Sequence, residues 1–235
     1  MKHIPGIVSP YSDRIKHYLM KEVFEEEIYR FSTANAKPLI IDCGANTGLS
    51  ALYFHENFPA GRIIAFEPDP LCYGLLEQHI VNREMNNVEA INCAVSNFAG
   101  TARFFTHSEI TGQSTPVMSL QKNEATDQVI EVACVHFGEY IKQFDQVDFC
   151  KVDIEGGESA LLQGLVSAGS VSLVSEFVVE YHVWAAQLYD AETFVSVFES
   201  QGFTSSLIKS EPAVEGWPAS GNHVFRFTRS SPIKP

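Results

Sequence analysis

The stretch "LIIDCGANTGLS" (39–50) joins an apolar run to an acidic residue, two glycines and the start of a helical pattern. A turn from strand into helix brings backbone N–H groups up to a ligand at the helix N-terminus. The glycine spacing tests which ligand. A phosphate-binding loop needs Lys-Ser/Thr after its last glycine, but Gly48 is followed by Leu49 and Ser50. A pyrophosphate turn needs glycines at its first, third and sixth positions; counted from Gly44 these are Gly44, Asn46 and Leu49. Both ligand classes are excluded.

What remains is Asp42-x-Gly44-x-x-x-Gly48, followed on the next apolar run, "RIIAFEP" (62–68), by Glu67. A carboxylate at that tip accepts hydrogen bonds from both hydroxyls of a ribose. An acid for an amino group, glycines for close backbone approach and an acid for a ribose together describe S-adenosyl-L-methionine. For Asp42 alone, a carboxylate near a helix N-terminus is the competing reading.

Outward from this turn, apolar runs alternate with helical patterns. "VEAINCAVS" (88–96), "VDFCKVDIEG" (147–156) and "SLVSEFVVEYHVW" (172–184) read as further strands. Helices are expected over 47–58, 69–86, 158–169 and 190–203. Strands apolar on both faces and separated by helices imply a parallel sheet covered on both sides. "TSSLIKS" (204–210) and "NHVFRFT" (222–228) read as a closing antiparallel pair. The fold expected is α/β and Rossmann-like: a mostly parallel seven-stranded sheet with helices on both faces and an antiparallel C-terminal strand. Residues 1–37 read as a helical extension, with one amphipathic helix over 11–31 carrying Ile15, Tyr18, Leu19, Val23 and Ile28. Its Glu25–Glu27 run reads as a solvated face, with a lid or a homodimer contact as the alternative. Residues 38–235 form the main domain. Within it, 98–140 hold two inserted strands and a polar loop (106–127), which is the candidate substrate element.

The chain is 235 residues long, with 16 Lys+Arg against 29 Asp+Glu and a formal charge of −13. That balance excludes nucleic acid as a partner, because no basic stripe exists to meet phosphates. No apolar run approaches the roughly 20 residues a membrane helix needs. Five cysteines without a CxxC pair point to buried thiols in a reducing cytoplasm.

The motifs "IDCGANTGLSA" (41–51), "AFEPDP" (65–70), "NCAVSNFAGTARFF" (92–105) and "KVDIEGGESALLQG" (151–164), with "VEYH" (179–182) more loosely, resemble the FkbM family of S-adenosylmethionine-dependent methyltransferases. The resemblance implies a class I methyltransferase. It puts Asp42 and the loop Gly44, Ala45, Asn46 and Gly48 on the methionine part of the cofactor, Glu67 on the ribose and Pro68 in the pocket wall. The run after the third strand lacks an acid, so the adenine falls to backbone and Ala94 or Val95, with Asn92 or Ser96 as polar partners. Asp153 is expected to orient the acceptor, take its proton, or bind a divalent cation with Glu155; no metal ligand is assigned. His182 is the candidate general base, and Glu158 and Lys151 have structural readings. The expected reaction is O-methylation of a glycan, glycolipid or polyketide-like metabolite. N- or C-methylation and a non-catalytic cofactor-binding module are the alternatives, while the glycine spacing disfavours a nicotinamide oxidoreductase.

Overall fold

The computed structural model describes residues 7–107, 119–120, 128–183, 185, 187–210 and 221–229. Most of the polar loop singled out above (106–127) therefore lies outside the described residues.

The chain runs α1 (Asp13–Phe24), β1 (Leu39–Cys43), α2 (Leu49–Asn57), β2 (Arg62–Phe66), α3 (Pro70–Asn82), β3 (Val88–Ile91), β4 (Ala94–Ser96), β5 (Gly100–Thr106), β6 (Gln128–His136), α4 (Phe137–Tyr140), β7 (Phe149–Val152), α5 (Glu158–Ser167), β8 (Glu176–Tyr181), α6 (Ala191–Ser200), β9 (Phe203–Ser210) and β10 (His223–Arg229). A seven-stranded sheet has the order β3-β2-β1-β7-β8-β10-β9. Its first five strands are parallel, and β10 runs antiparallel to both β8 and β9. This is the doubly wound sheet that the alternation implied.

Side chains alternate across each strand. Ile41, Cys43, Cys150 and Val152 face a core closed by Leu161, Leu162 and Leu165 of α5 and by α6. Ile40, Phe149 and Val178 face the other core, against Tyr53 and Phe54 of α2. The switch from β1 to β2 on one side and β7 on the other opens a crevice at the strand tips, where ligands of such sheets bind.

Two expected elements differ. The stretch 88–96 is two strands, not one: β4 leaves the main sheet and joins β5 and β6 in a separate sheet of order β4-β6-β5. The break falls at Asn92, whose Nδ2 turns back to donate to the carbonyls of Glu67 (2.8 Å) and Pro68 (3.1 Å). The first helix ends at Phe24 rather than near residue 31. Glu27 takes a φ of 49°, and Ile28, Tyr29 and Phe31 leave the helix to pack on the sheet. Phe31 stacks on Phe149 with centroids 4.4 Å apart. Burying three large apolar side chains contributes roughly 1.5–3 kcal/mol each, far more than one further helical turn.

His79 ties the N-terminal segment to the β1–α2 turn. It is 1% exposed, its Nδ1 lies 2.7 Å from the carbonyl of Thr47, and its Nε2 accepts from Val8 N at 2.9 Å. These partners require the neutral ring with the proton on Nδ1. Burial, the largest effect, lowers its pKa below the ordinary 6.5. A depressed histidine pKa contributes stability that is present above 6.5 and lost as pH falls through the folded value. Melting of the wild type is thus expected to weaken with acid below 6.5, with a shallower slope in His79→Gln; parallel slopes would sink the assignment.

Candidate active site

The turn after β1 is built around two left-handed glycines. Gly44 has φ +82° and Gly48 φ +91°, a region that L side chains rarely adopt. At Gly44 an added Cβ would lie 1.8 Å from the carbonyl oxygen of Asp153. Only glycine lets the β1 loop approach the β7 tip this closely. Gly48 also caps α2, with no side chain bonded to the helix start, so the first-turn N–H groups remain available to a ligand.

Glu67 lies one residue past β2 and is 4% exposed. It accepts from Asn46 N at 2.7 Å and Asp69 N at 2.8 Å. Burial pushes its carboxyl up to about 8, against the lowering effect of those two N–H groups. Asn46 is held in turn by Tyr11, whose hydroxyl donates to Oδ1 at 2.9 Å.

Gly44, Asn46 and Glu67 line one cavity of about 640 Å³, while Gly48 and Tyr11 stand outside its lining. Gly44, Ala45, Asn46, Glu67 and Pro68 form one end. Ala94 and Val95, with Cys93, Phe104 and Leu120, form an apolar slot beside it. Asp153, Glu155 and Glu180 form an acidic wall, and Ile15, Tyr18, Leu19 and Val23 of α1 cover the space opposite. Lys209 of β9 fixes that helix, with Nζ 2.8 Å from Glu22 Oε1 and 2.9 Å from the Tyr18 hydroxyl.

Lys151 also lines the cavity and is 2% exposed. Its Nζ donates to the carbonyl of Gly44 at 2.7 Å, and lies 3.1 Å from Asp42 Oδ1 and 3.5 Å from Asp153 Oδ2. Burial opposes its charge, but Asp42 and then Asp153 override that and hold its pKa above the ordinary lysine value.

The acidic wall closes on His182, just past β8. Nδ1 meets Glu158 Oε1 at 2.8 Å. Nε2 lies 3.1 Å from Glu155 Oε2, 3.7 Å from Glu180 Oε1 and 3.8 Å from Asp153 Oδ1. Burial alone would strip the ring of its charge. Glu155 and Glu158 outweigh it and hold the pKa well above 6.5. Glu158 is held below the ordinary carboxylate range by His182 despite its burial, whereas burial pushes Glu155 up to about 8.

A family model described as the methyltransferase FkbM domain matches residues 42–205. The chain belongs to this family. Methyltransferase sdnD of Sordaria araneosa is 30% identical over 207 residues, covering 72% of this chain and 79% of that protein. The 31-O-demethyl-FK506 methyltransferase FkbM of Streptomyces tacrolimicus is 24% identical over 217 residues, covering 80% and 81%. The crystal structure of methyltransferase FkbM from Methylobacillus flagellatus KT superposes with a TM-score of 0.53 at 17% identity, over 87% of this chain. It shares the fold, and the chain spans 46% of that protein's length.

In this FkbM-family chain the structure redistributes several expected roles. Asp42 is 0% exposed and is not part of the cavity lining. Ser50 Oγ donates to its Oδ2 at 2.6 Å and Lys151 meets its Oδ1, so it anchors the turn from behind rather than facing the cavity. Ser96 is buried with its hydroxyl toward Asn97, and it and Asn92 stand outside the lining. His182 is 1% exposed and faces carboxylates at both ring nitrogens, Glu158 at Nδ1 and Glu155 at Nε2, an arrangement that favours the charged ring over the free base. Asp153 and Glu155 converge on it through a turn rather than along a strand: β7 ends at Val152, and Glu155 (φ 55°) and Gly156 (φ 109°) fold the chain back. Sequence reasoning assigned no role to Phe104, which lies inside the quoted 92–105 motif, or to Leu120, which lies in none. For the N-terminal helix a lid stood only as the alternative reading, and its apolar stripe lines the cavity.

All five cysteines are buried and free. Among the described residues, no helix is long and apolar enough to cross a membrane.

Proposed function

We propose that this chain is an S-adenosylmethionine-dependent O-methyltransferase acting on a hydroxyl of a polyketide-like metabolite, with glycans and glycolipids as the wider acceptor class. The observation that carries this reading is that one cavity joins the Gly44–Gly48 turn and Glu67 to the Asp153 carboxylate. The buried free cysteines support a reducing compartment such as the cytoplasm.

The residues present fit the cofactor. The loop glycines and the uncapped α2 start suit close backbone contact, Glu67 suits the ribose diol, and the slot of Ala94, Val95, Phe104 and Leu120 suits the adenine ring. When bound, S-adenosylmethionine supplies a methyl group on a positively charged sulfur, open to in-line displacement. Asp153 holds the acceptor hydroxyl and takes its proton as the oxygen attacks. Lys151 steadies that carboxylate, and His182 balances its acidic neighbours. The apolar stripe of α1 excludes water and seats an apolar acceptor body, which favours a polyketide-like molecule over a bare sugar. Oxygen as the attacking atom is supported by this proton acceptor and by the 31-O-methylation named for the Streptomyces relative.

Calorimetry with S-adenosylhomocysteine, followed by transfer of a labelled methyl group to a panel of hydroxylated polyketide-like compounds, tests this reading. Glu67→Gln removes a charged acceptor from the ribose and is expected to weaken binding by about 1.5–3 kcal/mol, roughly ten- to a hundredfold. Wild-type affinity is expected to rise as pH passes about 8, because the ionised carboxylate is the better acceptor. Unchanged affinity in Glu67→Gln, or NAD binding in preference to S-adenosylhomocysteine, would overturn the cofactor assignment.

A further inference from the structure

Methyl transfer to a hydroxyl needs one proton acceptor, yet four carboxylates crowd a single imidazole at the acceptor end of the cavity. Three of these side chains, Asp153, Glu155 and His182, each offer one ligand atom, and the three atoms lie within 4.8 Å of one another. They come from two strand tips, β7 and β8, and converge at the cavity wall.

The histidine is held as a metal ligand is held. Its Nδ1 is engaged by Glu158 at 2.8 Å, which fixes the ring plane and directs Nε2 at Glu155 and Asp153. A carboxylate on the far nitrogen is the usual support of a metal-bound imidazole. Glu158 is itself fixed, because Gly156 N donates to it at 2.9 Å and Gln187 Nε2 donates to its other oxygen.

A separate observation concerns the cavity wall. One of its buried side-chain atoms, Asn222 Oδ1, has no hydrogen-bond partner among the described residues. Asn222 is 7% exposed. Its amide cannot be read the other way round, because Nδ2 donates to Glu180 Oε1 at 2.9 Å. The unsatisfied atom is therefore an acceptor, and it costs about 1–3 kcal/mol if it stays so. A cation with its coordinated water satisfies acceptors of this kind; a further acceptor does not.

We propose that Asp153, Glu155 and His182 form a divalent-cation site on the wall of the cavity. Two carboxylates and one imidazole suit Mn²⁺ among the common ions, since carboxylates favour hard cations and imidazole favours the transition series. Three protein donors leave coordination positions open toward the cavity, where an acceptor oxygen or water can enter. Asp153 binds through Oδ1, the oxygen nearer His182, and keeps Oδ2, 3.5 Å from Lys151, for the acceptor's proton. The bound ion takes the place of the proton on Nε2 and supplies the positive charge that the acidic wall requires. The site's use in catalysis rests on the methyl-transfer reading; its existence does not.

The test uses the full chain and Mn²⁺ alone, with no cofactor or acceptor, following free Mn²⁺ by electron paramagnetic resonance. A single saturable site is expected in the wild type, lost in Glu155→Gln and in His182→Asn. Glu158→Gln keeps the ligands but loses the support of the ring, and is expected to weaken Mn²⁺ binding about 10- to 100-fold with S-adenosylhomocysteine affinity unchanged. Circular dichroism checks each variant, and if His182→Asn does not fold, Glu155→Gln carries the test. No saturable Mn²⁺ binding by the wild type, or binding of equal strength in Glu155→Gln, overturns the proposal. Mn²⁺ binding without S-adenosylhomocysteine binding would sink the methyltransferase reading and leave the metal site standing; the reverse result would sink the metal site alone.

Discussion

Lys151→Met is expected to lower the free energy of unfolding by about 3–5 kcal/mol, the cost of leaving a buried charge without its partner. Lys151 is the cation facing Asp42, which is 0% exposed and otherwise held by Ser50. The same ammonium bridges the Gly44 carbonyl and the Asp153 carboxylate, so its loss also loosens the junction between the Gly44–Gly48 turn and the tip of β7. Methionine keeps the volume and removes only the charge. A double variant, Lys151→Met with Asp42→Asn, is expected to recover part of the loss, because a neutral amide is far cheaper to bury than an unpaired carboxylate. Urea titration of the two variants measures both effects. A single-variant loss below about 1 kcal/mol, the range of an exposed pair, would show that Asp42 is satisfied by other means.

Turnover in Asp153→Asn is expected to fall by about 10²- to 10⁴-fold, the usual contribution of a positioned acid or base. S-adenosylhomocysteine affinity in the same variant is expected to stay within a few-fold of wild type, since Glu67 and the Gly44–Gly48 turn are untouched. Asparagine fills the same space and still accepts from Lys151, but it takes no proton and is a poorer ligand for a cation. The measurement is methyl transfer to whichever acceptor of the polyketide-like panel the wild type modifies, with cofactor binding measured in parallel. A variant that turns over within tenfold of wild type would remove Asp153 from the chemistry. Parallel loss of cofactor binding would instead mark it as part of the cofactor wall.

These two residues also show how far local pattern reaches. Asp153 was legible as a functional candidate because an acid just past a buried strand of a parallel sheet stands where such folds bind ligands. Lys151 was legible only as a partner for some acid. Which acid depends on β1 and β7 lying side by side with Asp42 opposite Lys151, a pairing between residues more than a hundred positions apart. Asp42 was read toward the ligand for the same reason: nothing local tells an acid facing a cavity from one neutralised behind it. His182 was read as a base from its ordinary pKa. Its pKa is raised by carboxylates gathered at the β7 and β8 tips and the start of α5, and no spacing along the chain encodes that crowding.

The sequence by itself determined the parallel sheet, because apolar runs alternating with helical periods leave few other ways to bury both strand faces. It also determined the class of turn, since missing glycines exclude a pyrophosphate and a left-handed backbone is written in Gly44 and Gly48. The tertiary structure decided the site's electrostatics and its walls. It put Asp42 behind the cavity, brought Phe104 of the second sheet and Leu120 into its lining, and set Ile15, Tyr18, Leu19 and Val23 of α1 in that lining too. Backbone preference and hydrophobic period are properties of neighbours in sequence. Charge pairing and cavity walls belong to neighbours in space.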